Sequence, residues 1–297
     1  LGFSQSASAI PVTIDPQGYQ GEWIVDDVRA QGTKTIDISP GDHSLIVGDS
    51  FVPDFRMDAS GAISIGPSVD VVGNTLVFRN TTVHLDPGNY QGTYVFGPHA
   101  YQGPTDLVLV PGVTYKVIVD RSPFAFQLDN AGDVNHIEPP ESATFQGSQV
   151  TFATTTISVD PGTFTGLWSV EGASTKQRGP GVVQVVPGLR YRFIINDAVV
   201  SEFDVDANGN ATVVSLPDSV VAHGSQLKFQ VTQVTVSPTA TAPSWNFAGS
   251  NWLHGQQTLN VVVGIPWGFY SDSGNQDVFV GAPCSLSPST FTGNGVT

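Results

Sequence analysis

The stretch Asp15-Pro-Gln-Gly-Tyr-Gln-Gly21 decides how this 297-residue chain is organised, because it returns twice. It recurs as Asp86-Pro-Gly-Asn-Tyr-Gln-Gly92 and as Asp160-Pro-Gly-Thr-Phe-Thr-Gly166, at intervals of 71 and 74 residues. An aromatic residue stands two positions after each final Gly: Trp23, Tyr94 and Trp168. This recurrence indicates one unit copied in tandem, and a repeat has to be recognised before a role is given to any single residue.

Two further landmarks keep their place in every copy. A Pro-Gly pair follows the signature Pro by 24 to 26 residues, and a Phe-x-x-Asp-x-x-Gly block comes after it, beginning at Phe55, Phe126 and Phe203. The sequence therefore predicts three complete units at residues 11–81, 82–155 and 156–233, preceded by a leader strand or arm at residues 1–10.

A fourth copy at residues 234–297 is degenerate. The segment Gly255-Gln-Gln-Thr-Leu-Asn-Val-Val-Val-Gly264 aligns without gaps with Gly179-Pro-Gly-Val-Val-Gln-Val-Val-Pro-Gly188, but the Phe-x-x-Asp block that should follow is largely missing. An echo of the signature, Ser287-Pro-Ser-Thr-Phe-Thr-Gly293, comes early. Terminal repeats are often atypical because they cap an array. The alternative is a half-built unit that takes a strand from elsewhere.

Hydrophobic residues alternate with polar ones along most of the chain. Runs such as Tyr115-Lys-Val-Ile-Val119 and Tyr191-Arg-Phe-Ile-Ile195 are rich in β-branched and aromatic residues, which favour strands. Turn residues separate these runs every 8–12 positions, and no stretch of a dozen residues has convincing helical periodicity. We predict an all-β protein: a tandem repeat of small immunoglobulin-like β-sandwich units, three complete and one degenerate, with six or seven strands in each.

The composition excludes several classes of partner. The net charge is −15 and only four residues are Lys, so nucleic acid is not expected as a partner and an anionic membrane surface is disfavoured. No apolar run reaches the length of a membrane-spanning helix, and we predict no membrane span. A single Cys excludes an internal disulfide framework. The acidity is typical of a soluble protein outside the cell, and we predict an extracellular or cell-surface location.

One loop has the composition of a calcium site. Asp204, Asp206 and Asn208 alternate ahead of Gly209 and supply oxygen atoms in the spacing that calcium ligands need. Ser215 stands where such a loop would have its Glu, and the equivalent loops of the other units lose ligands. We expect a hairpin turn, with calcium as the alternative, and we predict no other cofactor.

Three Trp residues are concentrated in the fourth unit: Trp245, Trp252 and Trp267. Exposed aromatic rings on a sandwich can stack against sugar rings, so a glycan-binding platform is one interpretation. Packing in a core is the more common role of such residues.

No set of residues predicts an enzyme. The six His residues are scattered without metal-ligand spacing, and the acidic residues are dispersed in turns rather than paired as in glycosidases. Our leading hypothesis is a non-enzymatic structural protein, the subunit of a filament, surface layer or adhesive stalk that self-associates by strand addition at an exposed sheet edge. The alternative hypothesis is a carbohydrate-binding or adhesion module.

Overall fold

Every regular element in the described part of the chain is a β-strand, and the strands form successive two-layered sandwiches. The computed structural model describes residues 8–48, 50–215, 218–236, 244–247, 253–271, 274–281 and 285–288. The predicted all-β class with tandem β-sandwich repeats is confirmed. The chain divides into two compact units, residues 1–89 with 93–153 and residues 90–92 with 154–297.

The first two sandwiches have the same plan. The strands of the first are β1 (Ile10–Asp15), β2 (Glu22–Val25), β3 (Val28–Gln31), β4 (Lys34–Ile38), β5 (Gly41–Val47), β6 (Ser50–Met57), β7 (Ile63–Ser64), β8 (Val69–Val72) and β9 (Thr75–Phe78). The strands of the second are β10 (Thr81–Asp86), β11 (Tyr94–Phe96), β12 (His99–Tyr101), β13 (Thr105–Leu109), β14 (Thr114–Val119), β15 (Ser122–Leu128), β16 (Val134–Glu138), β17 (Ala143–Gln146) and β18 (Gln149–Phe152). One sheet has the order β4-β1-β9-β8 and the other β3-β2-β5-β6-β7, and the second sandwich repeats both orders.

The third sandwich keeps this plan with one strand fewer. Its strands are β19 (Thr155–Asp160), β20 (Trp168–Val170), β21 (Gly181–Val185), β22 (Arg190–Ile195), β23 (Ala198–Val205), β24 (Ala211–Ser215), β25 (Val220–His223) and β26 (Gln226–Phe229). A single bridge between Trp168 and Gln177 replaces the third strand. The prediction of six or seven strands was therefore too low, because pieces as short as β7 or β12 leave little period-two pattern to recognise.

The fourth sandwich keeps one sheet whole. Its described strands are β27 (Val231–Val236), β28 (Ser244–Phe247), β29 (Leu253–His254), β30 (Gln257–Val262), β31 (Pro266–Ser271), β32 (Gly274–Gly281) and β33 (Ser285–Pro288). The order β29-β28-β31-β32-β33 matches β3-β2-β5-β6-β7. The hairpin strand expected to be missing is present as β32, where Val278 pairs with Trp267 in the place that Phe126 takes opposite Tyr115.

A parallel pair of strands closes each of the first three sandwiches. The first strand of the unit lies beside the last one, as β1 beside β9, β10 beside β18 and β19 beside β26. The same backbone bond recurs, because the N–H groups of Thr13, His84 and Ser158 donate to carbonyl oxygens at 2.9, 3.0 and 2.9 Å. Since the ends of the unit are bonded to each other, residues far apart in sequence must meet before the sandwich is complete.

The signature forms a turn covered by its own aromatic residue. The Asp86 carboxylate accepts the backbone N–H of Gly88 at 2.9 Å, and Asp15 and Asp160 make the equivalent bond. The aromatic ring then lies over the last Gly of the signature, so a side chain at Gly21 or Gly166 would collide with Tyr19 or Phe164. Tyr19 is buried and lies in the loop ahead of the strand that carries Trp23.

A buried tyrosine anchors the second and third sandwiches. The Tyr191 hydroxyl donates to the carbonyl of Val186 at 3.1 Å and accepts its N–H at 2.7 Å, and Tyr115 bonds Val110 in the same way. Burial raises the pKa of the Tyr115 hydroxyl, which therefore stays neutral and able to donate. The corresponding Trp267 donates its indole N–H to the Val262 carbonyl at 2.9 Å.

We expect Tyr191→Phe to lower the free energy of unfolding of the third sandwich by about 1–3 kcal/mol, because it leaves the buried Val186 N–H without its acceptor. Trp168 stacks on Phe193 in the same sandwich at 5.7 Å, so tryptophan fluorescence during urea denaturation reports the change. Thr212→Val removes a hydroxyl from an exposed position on β24 of the same sandwich and serves as the control. Equal stability of the two variants would contradict the anchoring role.

Candidate functional site

The predicted calcium loop is a hairpin turn between β23 and β24. One carboxylate oxygen of Asp206 accepts the backbone N–H groups of Asn208 and Asn210 at 2.9 and 2.8 Å, and the other accepts the Asn210 side chain at 3.0 Å. Asp204 is turned to a different partner, because it forms a two-pronged ion pair with Arg190 at 2.7 and 2.9 Å. The structure therefore does not bring Asp204 and Asp206 together on one point.

The equivalent turns repeat this bonding with other side chains. Asp58 accepts the N–H groups of Ser60 and Ala62 at 2.8 and 3.0 Å, and Asp129 accepts those of Ala131 and Asp133 at the same two distances. Over the part of the chain that is described, no three His, Cys, Asp or Glu residues converge where they could hold a metal ion. The recurring Asp is explained by turn formation, and calcium at Asp206 stays a prediction.

The three Trp residues do not form a described surface platform. Trp267 is only 2 % exposed and its ring lies 5.8 Å from that of Phe164, so it packs in the interior and offers no face to a sugar. Trp252 lies outside the described residues, and for Trp245 the structure describes the strand, β28, but not the side chain. The alignment of Trp267 with Tyr191 was the sequence signal for its burial.

The edge of β27 is the feature that separates the fourth sandwich from the others. Thr235 corresponds to Thr13: their hydroxyls bond those of Thr258 and Thr35 across the neighbouring strand at 3.2 and 2.9 Å. Thr13 gives its N–H to β9 on the other side. β27 pairs with β30 alone among the described residues, so the Thr235 N–H faces an edge at which the described residues supply no strand.

Side-chain burial is also reduced at this edge. Val12, Val83 and Ile157 are fully buried in the first three sandwiches, whereas the corresponding Val234 is only half-buried. An edge that combines unpaired backbone groups with an incompletely covered apolar side chain is a template for another strand. If the hypothesis of strand addition is right, β27 is the strand to which it would apply.

The sequence contains a candidate for a strand that would pair with β27. Residues 289–297 align without gaps with residues 143–151, and five of the nine positions are identical: Thr290, Phe291, Gly293, Val296 and Thr297. In the second sandwich those positions belong to β17 and β18, the hairpin that includes the closing strand. Residues 287–293, which resemble the signature, can thus also be interpreted as part of a closing hairpin for the fourth sandwich. Residues 289–297 themselves lie outside the described part.

Comparisons with known proteins add little. No protein family model and no curated protein matches the chain. Among solved structures, it is similar to the pilus adhesin SpaC from Lactobacillus rhamnosus GG, with 12 % identity over 75 % of this chain and 43 % of that one and a TM-score of 0.20. The chain thus spans less than half the length of that adhesin, and a TM-score this low does not describe a shared superposable fold. Over the described residues there is no helix able to cross a membrane.

We expect Asp206→Asn to destabilise the third sandwich at neutral pH and to have a smaller effect near pH 3. The pKa of Asp206 is lowered, mainly by the Asn210 side chain and then by backbone N–H groups of the turn. A lowered pKa contributes stability that is present above the unfolded pKa of about 3.9 and is lost as the pH falls through the folded pKa. Urea denaturation of both proteins at the two pH values measures this.

The same urea denaturation experiments, with and without calcium, test the interpretation of the loop as a calcium site. If the turn alone explains Asp206, calcium leaves the wild type and Asp206→Asn equally unchanged. Stabilisation of the wild type by calcium, lost in the variant, would show that the carboxylate is a ligand.

Proposed function

We propose that this chain is a non-enzymatic structural protein of the cell surface or extracellular space, a subunit of a filament, surface layer or adhesive stalk. The observation that carries this proposal is the nature of what recurs from unit to unit. The repeated groups are the parallel closing strands, the signature turn and the buried anchor at Tyr115, Tyr191 and Trp267, all of which serve folding. A chain that repeats its structural groups without repeating a reactive group is suited to a structural role, such as holding two parts of an assembly at a fixed distance.

Contacts between consecutive sandwiches support a spacer role. In the first compact unit, Ser50 donates its hydroxyl to the Thr114 carbonyl at 2.8 Å. In the second, Asn260 donates its amide to the Thr163 carbonyl at 3.1 Å, and Phe164 meets Trp267. The signature loop of the third sandwich thus contacts the fourth directly. Bonded junctions of this kind would limit bending between neighbours, which a stalk requires.

Charge favours an extracellular setting. The net charge of −15 would keep copies apart until a specific contact forms, since like charges repel at long range. Most salt bridges in the described residues are exposed pairs such as Lys176 with Asp197, which contribute little to stability, whereas Arg192 with Glu202 is partly buried. Assembly would therefore have to depend on a directional backbone contact.

The edge of β27 would provide that contact. A strand of a second copy, lying parallel to β27, would accept the Thr235 N–H and cover Val234, as β26 does for Ser158 and Ile157 in the third sandwich. A contact between two different surfaces of identical subunits produces an open filament when the rotation from copy to copy does not close a ring. The competing source for this strand is the chain itself, through residues 289–297.

Mass measured by light scattering across a concentration series tests the assembly. We expect species larger than a monomer whose mass rises with concentration, and a shift to monomer in Thr235→Pro, because proline removes the N–H while an open edge tolerates it. Thr235→Val keeps the N–H and is the matched control, with assembly retained.

Shortening the chain to end at Pro288 separates the two sources of the strand. If a second copy supplies it, the shortened chain assembles as the full one does. A full chain that stays monomeric at every concentration, together with a shortened chain that associates, would assign the strand to residues 289–297 and overturn the filament proposal.

A further inference from the structure

A cleft of about 450 Å³ opens where the first and second sandwiches of the first compact unit meet. Tyr19, Gln20 and Gln31 line it from the first sandwich, and Phe96, Tyr101 and Tyr115 line it from the second. A volume of this size accommodates a small organic molecule, and concave sites lined by aromatic rings with a few polar groups are the usual form of ligand sites.

The repeat provides an internal control for the aromatic wall. The hairpin of β11 and β12 carries Phe96, His99 and Tyr101. Strand register places Phe96 opposite His99 and Tyr101 opposite Tyr94. The same register in the first sandwich places Val25 opposite Val28 and Ala30 opposite Trp23. The first sandwich is therefore built without aromatic rings at these three positions, so the shared fold does not require them.

The rings are held in place from beneath. Tyr101 stacks on the buried Tyr94 with centroids 5.7 Å apart, and His99 meets Tyr101 edge-on at 6.3 Å. Phe96 lies 5.8 Å from Tyr115, whose hydroxyl is fixed by the Val110 backbone. Phe96 and Tyr101 nevertheless stay half-buried. Supported rings that keep part of their surface open form a rigid apolar platform that loses little conformational entropy when a ligand binds.

The polar side of the cleft carries neutral amides and carboxylates that already have partners. Glu22 is bound to Arg29 at 3.0 Å, and Asp106 to His84 at 2.7 Å. Gln31 donates its amide to the backbone carbonyl of Gln20, and both glutamines are exposed. Amide groups donate and accept hydrogen bonds alike, which matches ligands that carry hydroxyl groups. Lys116, which also lines the cleft, has an interaction of its own, so with these charged groups engaged an uncharged ligand is the better match.

We propose that this cleft binds a neutral oligosaccharide. The apolar face of one sugar ring lies on Tyr101 and Phe96, and its hydroxyl groups exchange hydrogen bonds with Gln20 and Gln31. For the hypothesis of carbohydrate binding, this cleft takes the place of the Trp residues of the fourth unit as the candidate site. It does not depend on the filament proposal, because the cleft and the β27 edge share no residue.

Isothermal titration of the intact chain with a panel of neutral di- and trisaccharides at millimolar concentration tests the proposal. We expect saturable binding to at least one sugar, and a loss of about tenfold or more in affinity in Tyr101→Ala. Phe145→Ala is the matched control, because Phe145 is 46 % exposed on β17 of the same sandwich and does not line the cleft. It should bind as the wild type does.

A second variant distinguishes a loss of binding from a loss of folding. Gln31→Ala removes an exposed amide, so it should leave thermal unfolding unchanged while weakening binding by a similar factor. Silence of the wild type against the whole panel would overturn the proposal. Unchanged binding in both Tyr101→Ala and Gln31→Ala, or equal loss in Phe145→Ala, would do the same.

Discussion

The pairing of the first strand of each sandwich with its last strand is the constraint on which the rest of this structure depends. In β1 and β9 the two strands are separated by almost the entire unit, and the bond from the Thr13 N–H to the Asn74 carbonyl ties them together. Everything between them is thereby enclosed as one sandwich that can be copied and joined to the next. At β27 the described residues provide no such partner strand. Edges of this kind are templates for pairing with another strand.

Repetition makes it possible to separate what folding needs from what it does not. Positions that keep one role in every unit are structural: the signature Asp bonds its own turn, and the aromatic two residues after the signature fills the core at Trp23, Tyr94 and Trp168. The aromatic hairpin of the second sandwich departs from that pattern: its rings pack on the core and also line the cleft that we propose as a sugar site. A departure from the repeat is therefore a better guide to function in this chain than any isolated reactive residue.

The sequence was sufficient to predict the class of fold, because the signature repeats and hydrophobic residues alternate around it. It could not indicate which strands pair, since alternation places Val12 in the interior but does not name β9 as its neighbour. For Trp267 the sequence left core packing and a glycan platform open, and its burial and the indole bond to Val262 agree with core packing. The cleft could not be predicted from the sequence, because Phe96 and Tyr101 have the ordinary pattern of a strand. Tyr19 and Gln31 come close to them only in the folded structure.

The exchange of the Thr235 backbone amide with deuterium, measured by NMR beside that of Ser158, tests most directly whether the closing strand of the fourth sandwich comes from a second copy. Thr235 should exchange rapidly in dilute monomer, while Ser158, bonded to the Ser225 carbonyl at 2.9 Å, stays protected. In the concentrated, assembled protein the two amides should be protected alike. Equal protection of Thr235 and Ser158 in the monomer would contradict this view, because the edge would then already be closed within a single chain.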